Sequence, residues 1–152
     1  MHYDSGQTSD RGPLLGALLR LSHQSLIRKV LHELSKAGFK DIRSAHFGPM
    51  LGLWDYPEGV RVIELAGMAR MTKQSMGELV DQLVLRGYAE RALDPEDGRA
   101  WLIKITPLGR RLGRAARKTV RGVEAEWSRR IGAERIEEMR KTLRMLLESE
   151  SQ

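Results

Sequence analysis

The chain contains no cysteine. Structural disulfides, thiolate metal sites, thiol nucleophiles and thiol-based redox sensing are therefore excluded together. No apolar run approaches the ~20 residues that a membrane span requires. The stretch Met1 to Gly12 is polar and lacks the apolar core of a signal peptide, so a cytoplasmic location without a membrane partner is expected. Catalytic signatures are incomplete wherever they begin. His32-Glu33-Leu34-Ser35-Lys36 opens like the zinc-protease motif but sets Lys36 where the second histidine must stand. His2, His23 and His46 have no metal-ligand spacing, so no metal is expected. Gly48-x-x-x-Gly52 and Gly109-x-x-x-Gly113 lack the Lys-Ser or Lys-Thr ending of a phosphate loop, and close helix packing is the simpler account of both. Serine, histidine and aspartate are scattered over expected helices with no arrangement resembling a triad. The expectation is a non-enzyme with no catalytic residue and no cofactor. Internal repeats and low-complexity segments are absent as well.

What is present suits one compact domain: 152 residues, 41% of them apolar. Lys and Arg number 26 against 20 Asp and Glu, a net charge of +6, which favours a polyanionic partner; duplex DNA, RNA and an acidic membrane surface all qualify at this level. The excess is unevenly placed. Arg110, Arg111, Arg114, Arg117, Lys118 and Arg121 follow one another with no acid before Glu124. Such a run is either a solvated helix face or a source of phosphate contacts, with Arg110 and Arg114 nearest any DNA.

Periodicity gives the elements. Residues 1–12 are expected to be a flexible N-terminus, and residues 13–152 a single domain. Pro13 and a helical stripe of Leu15, Leu18, Leu19, Leu26, Val30, Leu31 and Leu34 predict a helix over 14–36, stopped by Gly38. Asp41 to Trp54 is a second helical candidate, and Asp55 to Gly59 a loop. Val60 to Ala69 reads as a short helix, after which Thr72 is a good N-cap for a helix reaching Arg86, with Gly87 behind it. Tyr88 to Leu93 and Ala100 to Thr106 read as strands around Asp94-Pro95-Glu96-Asp97-Gly98, whose Asp-Gly pair is a hairpin signal. From Pro107 a long helix carries Leu108, Leu112, Ala116, Val120, Val123, Trp127 and Ile131 on one face; Gly132 interrupts it before a last helix with Ile136, Met139, Leu143, Leu146 and Leu147.

The helix after Thr72 divides cleanly. Met76, Leu79, Val80 and Leu83 share a core face, while Gln74, Gly77, Glu78 and Asp81 lie opposite. Lys73, Gln74 and Ser75 occupy the first turn, where a helix entering the major groove by its N-terminus presents side chains to base edges. Glutamine can pair with adenine, lysine can donate to guanine or phosphate, and serine is adaptable. Gly77 lets the backbone come close. Glu78 is unfavourable beside phosphate unless it pairs with a cation or accepts from cytosine N4, which makes it a specificity or anti-contact residue. Taken alone, the helix is more simply a solvated amphipathic one, since polar N-terminal turns are common. A short helix, a tight turn, a polar-faced helix, a glycine stop and a hairpin in that order are what a winged helix-turn-helix requires.

The run Met71-Thr72-Lys73-Gln74-Ser75-Met76-Gly77-Glu78-Leu79-Val80, then Leu83, Arg86-Gly87-Tyr88, Asp94-Pro95-Glu96-Asp97-Gly98-Arg99 and Ile105-Thr106-Pro107-Leu108-Gly109, resembles the MarR family of transcriptional regulators. The specific similarity covers about Val60 to Gly109. The resemblance implies a mainly α subunit with a small two-stranded β-wing: a winged helix-turn-helix over 60–106, with N- and C-terminal dimerisation helices and a linking segment over 13–59 and 107–152. It implies a homodimer on a pseudo-palindromic double-stranded operator, recognition helices in successive major grooves and wings in adjacent minor grooves. Thr72, Lys73, Gln74 and Ser75 match DNA-contacting positions, and Arg99 matches the wing arginine, positioned by Asp97. A planar cation suits a narrow, negative minor groove, and a carboxylate can orient it. The resemblance allows a small aromatic effector without requiring one. A cavity between the first two helices and the post-wing helix would be lined by His23, His46, Met50, Trp54 and Tyr56, residues that are equally at home in core and loops. The expected function is a sequence-specific regulator, a repressor of a nearby operon; the alternative is a winged helix that binds protein or RNA without operator specificity.

Overall fold

The computed structural model describes residues 12–151; residues 1–11, nearly all of the expected flexible N-terminus, lie outside them. The described chain is mainly α with one two-stranded sheet. Its elements in order are α1 (Leu15–Lys36), a 3₁₀ turn (Ser44–His46), α2 (Phe47–Asp55), α3 (Val62–Met68), α4 (Lys73–Leu85), β1 (Ala89–Leu93), β2 (Trp101–Ile105), α5 (Pro107–Ile131) and α6 (Ala133–Glu150). No helix among the described residues is long and apolar enough to cross a membrane.

The core lies where the C-terminal half of α1, α2, α3, α4, the sheet and the first half of α5 meet. Leu34, Met50, Leu53, Leu65, Met76, Val80, Leu83, Ile103 and Leu112 are its fully buried members. Close packing accounts for Gly52, Gly109 and Gly113 but not for Gly48, where a Cβ would meet only the Ala69 side chain at an ordinary 3.8 Å. A Cβ at Gly52 would come within 2.5 Å of Leu65, one at Gly109 within 2.2 Å of the Tyr88 carbonyl oxygen, and one at Gly113 within 2.6 Å of the Trp54 ring. Trp54 lies across α5 there and donates from Nε1 to the Gly109 carbonyl at 3.3 Å.

Three boundaries differ from expectation. Asp41 to Arg43 is not helical, because the Arg43 N–H is taken by the His46 ring at 3.0 Å and a 3₁₀ turn follows. Val60 forms an isolated antiparallel bridge to β2 instead of opening a helix: it exchanges both backbone hydrogen bonds with Ile103, at 3.1 and 2.8 Å, after Gly59 turns the chain at φ 112°. The wing turn is no tight Asp-Gly hairpin. Gly98 lacks a positive φ, and residues 94–100 form a longer loop closed by Asp94 N–H to the Ala100 carbonyl at 2.9 Å and Ala100 N–H to the Asp97 carbonyl at 2.9 Å.

The terminal helices are incompletely covered. Leu14, Leu15, Leu18, Leu19 and Leu21 at one end, with Ile131, Met139, Met145, Leu146 and Leu147 at the other, are exposed, Leu14 to 82%. Between them runs an apolar groove of about 650 Å³ walled by Leu18, Leu19, Trp127, Ile136, Met139 and Leu143.

Candidate nucleic-acid interface

Thr72 starts α4 for a local reason. Its backbone is extended, at φ −69° and ψ 151°, and its Oγ1 accepts from the Ser75 N–H at 3.1 Å, satisfying one of the helix's orphan donors. The same hydroxyl donates to Ser75 Oγ at 2.9 Å. Behind this capped turn Met76, Val80 and Leu83 are fully buried, so the turn is held rigidly against the core while Thr72, Lys73, Gln74, Ser75 and Glu78 face solvent. Gln74 Nε2 donates to Glu78 Oε1 at 3.5 Å. That long contact engages one oxygen of the Glu78 carboxylate and leaves the Gln74 carbonyl and its second N–H free for a base edge. Gly77 is half-buried, and a Cβ there would meet no atom within 4 Å. Packing within the subunit thus does not demand this glycine.

The turn before α4 bends at Arg70, the one non-glycine residue with positive φ among the described residues, at 51°. Met71 N–H reaches back to the Ala66 carbonyl at 2.9 Å and closes α3. Arg70 is exposed and places a cation at the mouth of the turn, beside Thr72 in sequence. Sequence reasoning missed it, although an arginine between two helices of this kind was signal enough.

The wing is built from antiparallel pairs running from Ala89–Ile105 at its root to Leu93–Trp101 at its tip side. Beyond them Asp94, only 8% exposed, organises the loop. Its Oδ1 accepts from the Glu96 N–H at 2.9 Å, and its Oδ2 accepts from Arg61 Nε at 3.2 Å and from a second guanidinium nitrogen at 2.6 Å. The Arg61 pair, then the Glu96 N–H, hold the Asp94 carboxyl below its ordinary pKa. This clamp fastens the wing loop to the start of α3. It too went unforeseen, since nothing in the local sequence links residues 33 positions apart. Asp97 works differently from the expected manner: its Oδ1 accepts from the Arg99 backbone N–H at 3.1 Å, and its Oδ2 lies 3.9 Å from Arg61. It shapes the backbone that carries Arg99 instead of gripping the guanidinium, which remains exposed at the tip.

Arg110 stands elsewhere. Thr106 Oγ1 donates to the Gly87 carbonyl at 2.6 Å, which seats the start of α5 beside the C-terminal end of α4 and the root of the wing. Five-residue strands at ~3.3 Å per residue put the root ~16 Å from the tip strand ends, and the 13 residues of α4 separate its two ends by ~20 Å. Thr72, Lys73, Gln74, Ser75 and Glu78 are thus exposed together in the first turns of α4, with Gly77 half-buried among them; Asp97 and Arg99 are exposed at the tip of the wing; and Arg110, one turn after Thr106, stands at the root of the wing and the C-terminal end of α4. The whole basic run from Arg110 to Arg121 lies on α5, and none of its six members forms an ion pair among the described residues. Six equals the net charge of the chain.

The five residues expected to line an effector cavity do not converge. His23 faces the apolar groove between α1 and α6. His46 is enclosed in a polar cluster at the end of α4 and Met50 belongs to the core. Trp54 covers Gly113, and Tyr56 is 50% exposed in the loop after α2. Met50 and Trp54, one turn apart on α2, do share a face, but that face packs into the core, whereas His23, His46 and Tyr56 lie in three other surroundings.

No family model matches the chain, and no curated protein sequence matches it. Solved structures do. It is 28% identical to CouR from Rhodococcus jostii RHA1, solved bound to p-coumaroyl-CoA, over 93% of this chain and 95% of that one, with a TM-score of 0.69. It is 27% identical to a MarR-family transcriptional regulator from Rhodococcus sp. RHA1, over 87% of this chain and 92% of that one, again at 0.69. A MepR mutant from S. aureus, solved bound to an oligodeoxyribonucleotide, shares the fold at 20% identity, covering 90% and 98% of the two chains with a TM-score of 0.61.

Proposed function

Because this chain is a winged helix-turn-helix protein of the MarR type, we propose that it is a homodimeric, sequence-specific double-stranded DNA-binding regulator and not an enzyme. The observation that carries this reading is the first turn of α4. Lys73, Gln74 and Ser75 are exposed on a helix end that Thr72 caps and that Met76, Val80 and Leu83 anchor to the core. Such a turn presents hydrogen-bonding side chains in a fixed geometry, which base-edge readout needs. The exposed Arg99 of the wing supplies a minor-groove or phosphate contact. That MepR, of the same fold, was solved with an oligodeoxyribonucleotide supports a duplex partner.

The dimer follows from the terminal helices. A row of exposed leucines on α1 and α6 beside an apolar groove is more apolar surface than a soluble monomer normally leaves uncovered. Two copies related by a twofold axis would cover these faces and present two recognition helices, so the operator should be pseudo-palindromic. Occupying such a site beside a promoter would repress the neighbouring operon. CouR was solved with p-coumaroyl-CoA, which favours a small aromatic effector here too, although the five residues first expected to hold one lie apart.

The test is equilibrium competition between a palindrome from the protein's own upstream region and a random duplex, at stated salt. The palindrome should win by at least ~10³-fold. Equal affinity for both overturns operator reading and leaves a winged helix that binds something other than a defined duplex.

A further inference from the structure

Between the end of α1 and the end of the recognition helix lies a polar cluster that duplex binding does not account for. His46 has no solvent exposure, and a buried imidazole must find partners for both ring nitrogens. Nδ1 lies 3.0 Å from the Arg43 backbone nitrogen. Nε2 lies 2.9 Å from Gln82 Oε1 and 2.9 Å from a guanidinium nitrogen of Arg86. Gln82 Oε1 also accepts from the Arg43 guanidinium at 2.6 Å. Arg86 approaches Asp41 at 4.0 Å, and Asp41 accepts from the Tyr88 hydroxyl at 2.6 Å.

A neutral imidazole offers one N–H and one lone pair. With the proton on Nε2, the ring accepts from the Arg43 N–H and donates to Gln82 Oε1, so two of its three neighbours are hydrogen-bonded. With the proton on Nδ1, that N–H would face the Arg43 N–H and the Nε2 lone pair would face the Gln82 oxygen, leaving only Arg86 satisfied. The ring is therefore the Nε2–H tautomer. The imidazolium fits worse than either, since its second N–H meets the Arg43 N–H. Its charge would sit between the guanidiniums of Arg43, from the connection after α1, and Arg86, from the end of α4. Asp41 alone opposes them, and α2 contributes no charged group acting on the ring. Burial above all, then these two arginines, lowers the His46 pKa, while the Gln82 hydrogen bond and Asp41 pull the other way.

We propose that His46 is a positioning residue for operator binding: as the Nε2–H tautomer it fastens the connection leaving α1 to the end of α4, and so sets the separation at which a dimer presents its two recognition helices. The inference rests on the duplex-reading function proposed above, and His46 itself touches no DNA. α1 carries the exposed leucines of the dimer face while α4 carries the reading turn, so a link between them converts dimer geometry into half-site spacing. Half-sites one helical turn apart, ~34–36 Å, demand such a link.

Three duplexes test it: a palindrome at its native spacing, the same palindrome with one base pair inserted between half-sites, and a random sequence. Wild type should prefer the native spacing. His46→Asn keeps an acceptor for the Arg43 N–H and loses the donor to Gln82, so it should bind the native palindrome about tenfold more weakly, discriminate spacing less, and bind random duplex unchanged. His46→Gln, whose amide N–H can reach Gln82, should restore part of the spacing preference. ¹⁵N spectra of the wild-type imidazole should show the Nε2-protonated neutral form at neutral pH, and, because the His46 pKa is lowered in the folded protein, wild-type spacing preference should persist at pH 6.5, the ordinary histidine value, and fall only in more acidic buffer, while that of His46→Gln should not. Spacing discrimination retained by folded, dimeric His46→Asn, or an Nδ1–H or doubly protonated ring at neutral pH, overturns the proposal. Should His46→Asn fail to fold, Gln82→Leu, which removes the oxygen to which the ring donates, must weaken spacing preference or the proposal falls. A wild type that does not distinguish palindrome from random duplex refutes operator reading instead, and the imidazole spectra still decide the tautomer.

Discussion

Gly77 lies in the second turn of α4, half-buried, with open space where a Cβ would stand. Its φ is not positive, so an alanine there adopts the same backbone without strain. In a helix interior the exchange should stabilise the fold by about 0.5–1 kcal/mol, because glycine loses more conformational freedom on folding than alanine does. For a chain of this length that is a rise in melting temperature of about 2–4 °C per kcal/mol, measured at one fixed protein concentration because dimerisation is linked to stability. DNA binding should move the opposite way. The methyl projects from the surface that carries Gln74 and Glu78, where a backbone must approach the duplex closely. Displacing the helix enough to break one base-edge interaction costs about 1–3 kcal/mol, which an equilibrium titration with the operator reads as roughly a tenfold or greater rise in Kd. Gly77→Ala that is more stable and binds as tightly as wild type would show that this face of α4 does not meet DNA. A variant less stable than wild type would refute the reasoning about its open surroundings.

Asp94→Asn should release the wing loop: the Arg61 pair is lost, hydrogen exchange at residues 94–100 should accelerate, and operator affinity should fall while α-helix content is unchanged. Since Arg61 holds the Asp94 carboxyl below its ordinary value, the clamp's contribution is fully present above the unfolded carboxyl pKa of 3.8 and is lost as pH falls through the lower folded value; acid-induced loosening of the wing well above that range would contradict the assignment. Leu18→Glu, at an exposed position on α1, should give a monomer by sedimentation and abolish high-affinity palindrome binding, and a stable dimer would move the interface elsewhere.

Much of α4 was legible because its determinants are local. Thr72, the core face of Met76, Leu79, Val80 and Leu83, and the stop at Gly87 with φ 80° each announce themselves within a few residues. What the sequence hid are pairings across distance. Arg61 with Asp94, Val60 with Ile103 and His46 with Gln82 and Arg86 join elements that periodicity treats separately. Asp97-Gly98 misled for a different reason: the carboxylates of Asp94 and Asp97 fold the loop by accepting from backbone N–H groups two residues on, a device that replaces the tight turn an Asp-Gly pair otherwise makes. Arg110 follows the wing in sequence, but the strand that leads to it runs away from the tip.

If the first turn of α4 reads bases while the wing supplies a cation, one paired measurement separates the two roles most directly: the salt dependence of operator affinity for Gln74→Ala and Arg99→Ala, each also measured on single-base variants of the operator. Gln74→Ala should cost about 1–3 kcal/mol at one base position, relax preference there and leave the slope of log K against log salt nearly unchanged. Arg99→Ala should weaken binding across many sequences and flatten that slope by about one unit for each phosphate no longer neutralised. Gln74→Ala weakening every duplex equally, or Arg99→Ala leaving affinity and slope untouched in a folded dimer, would contradict this division of labour between helix and wing.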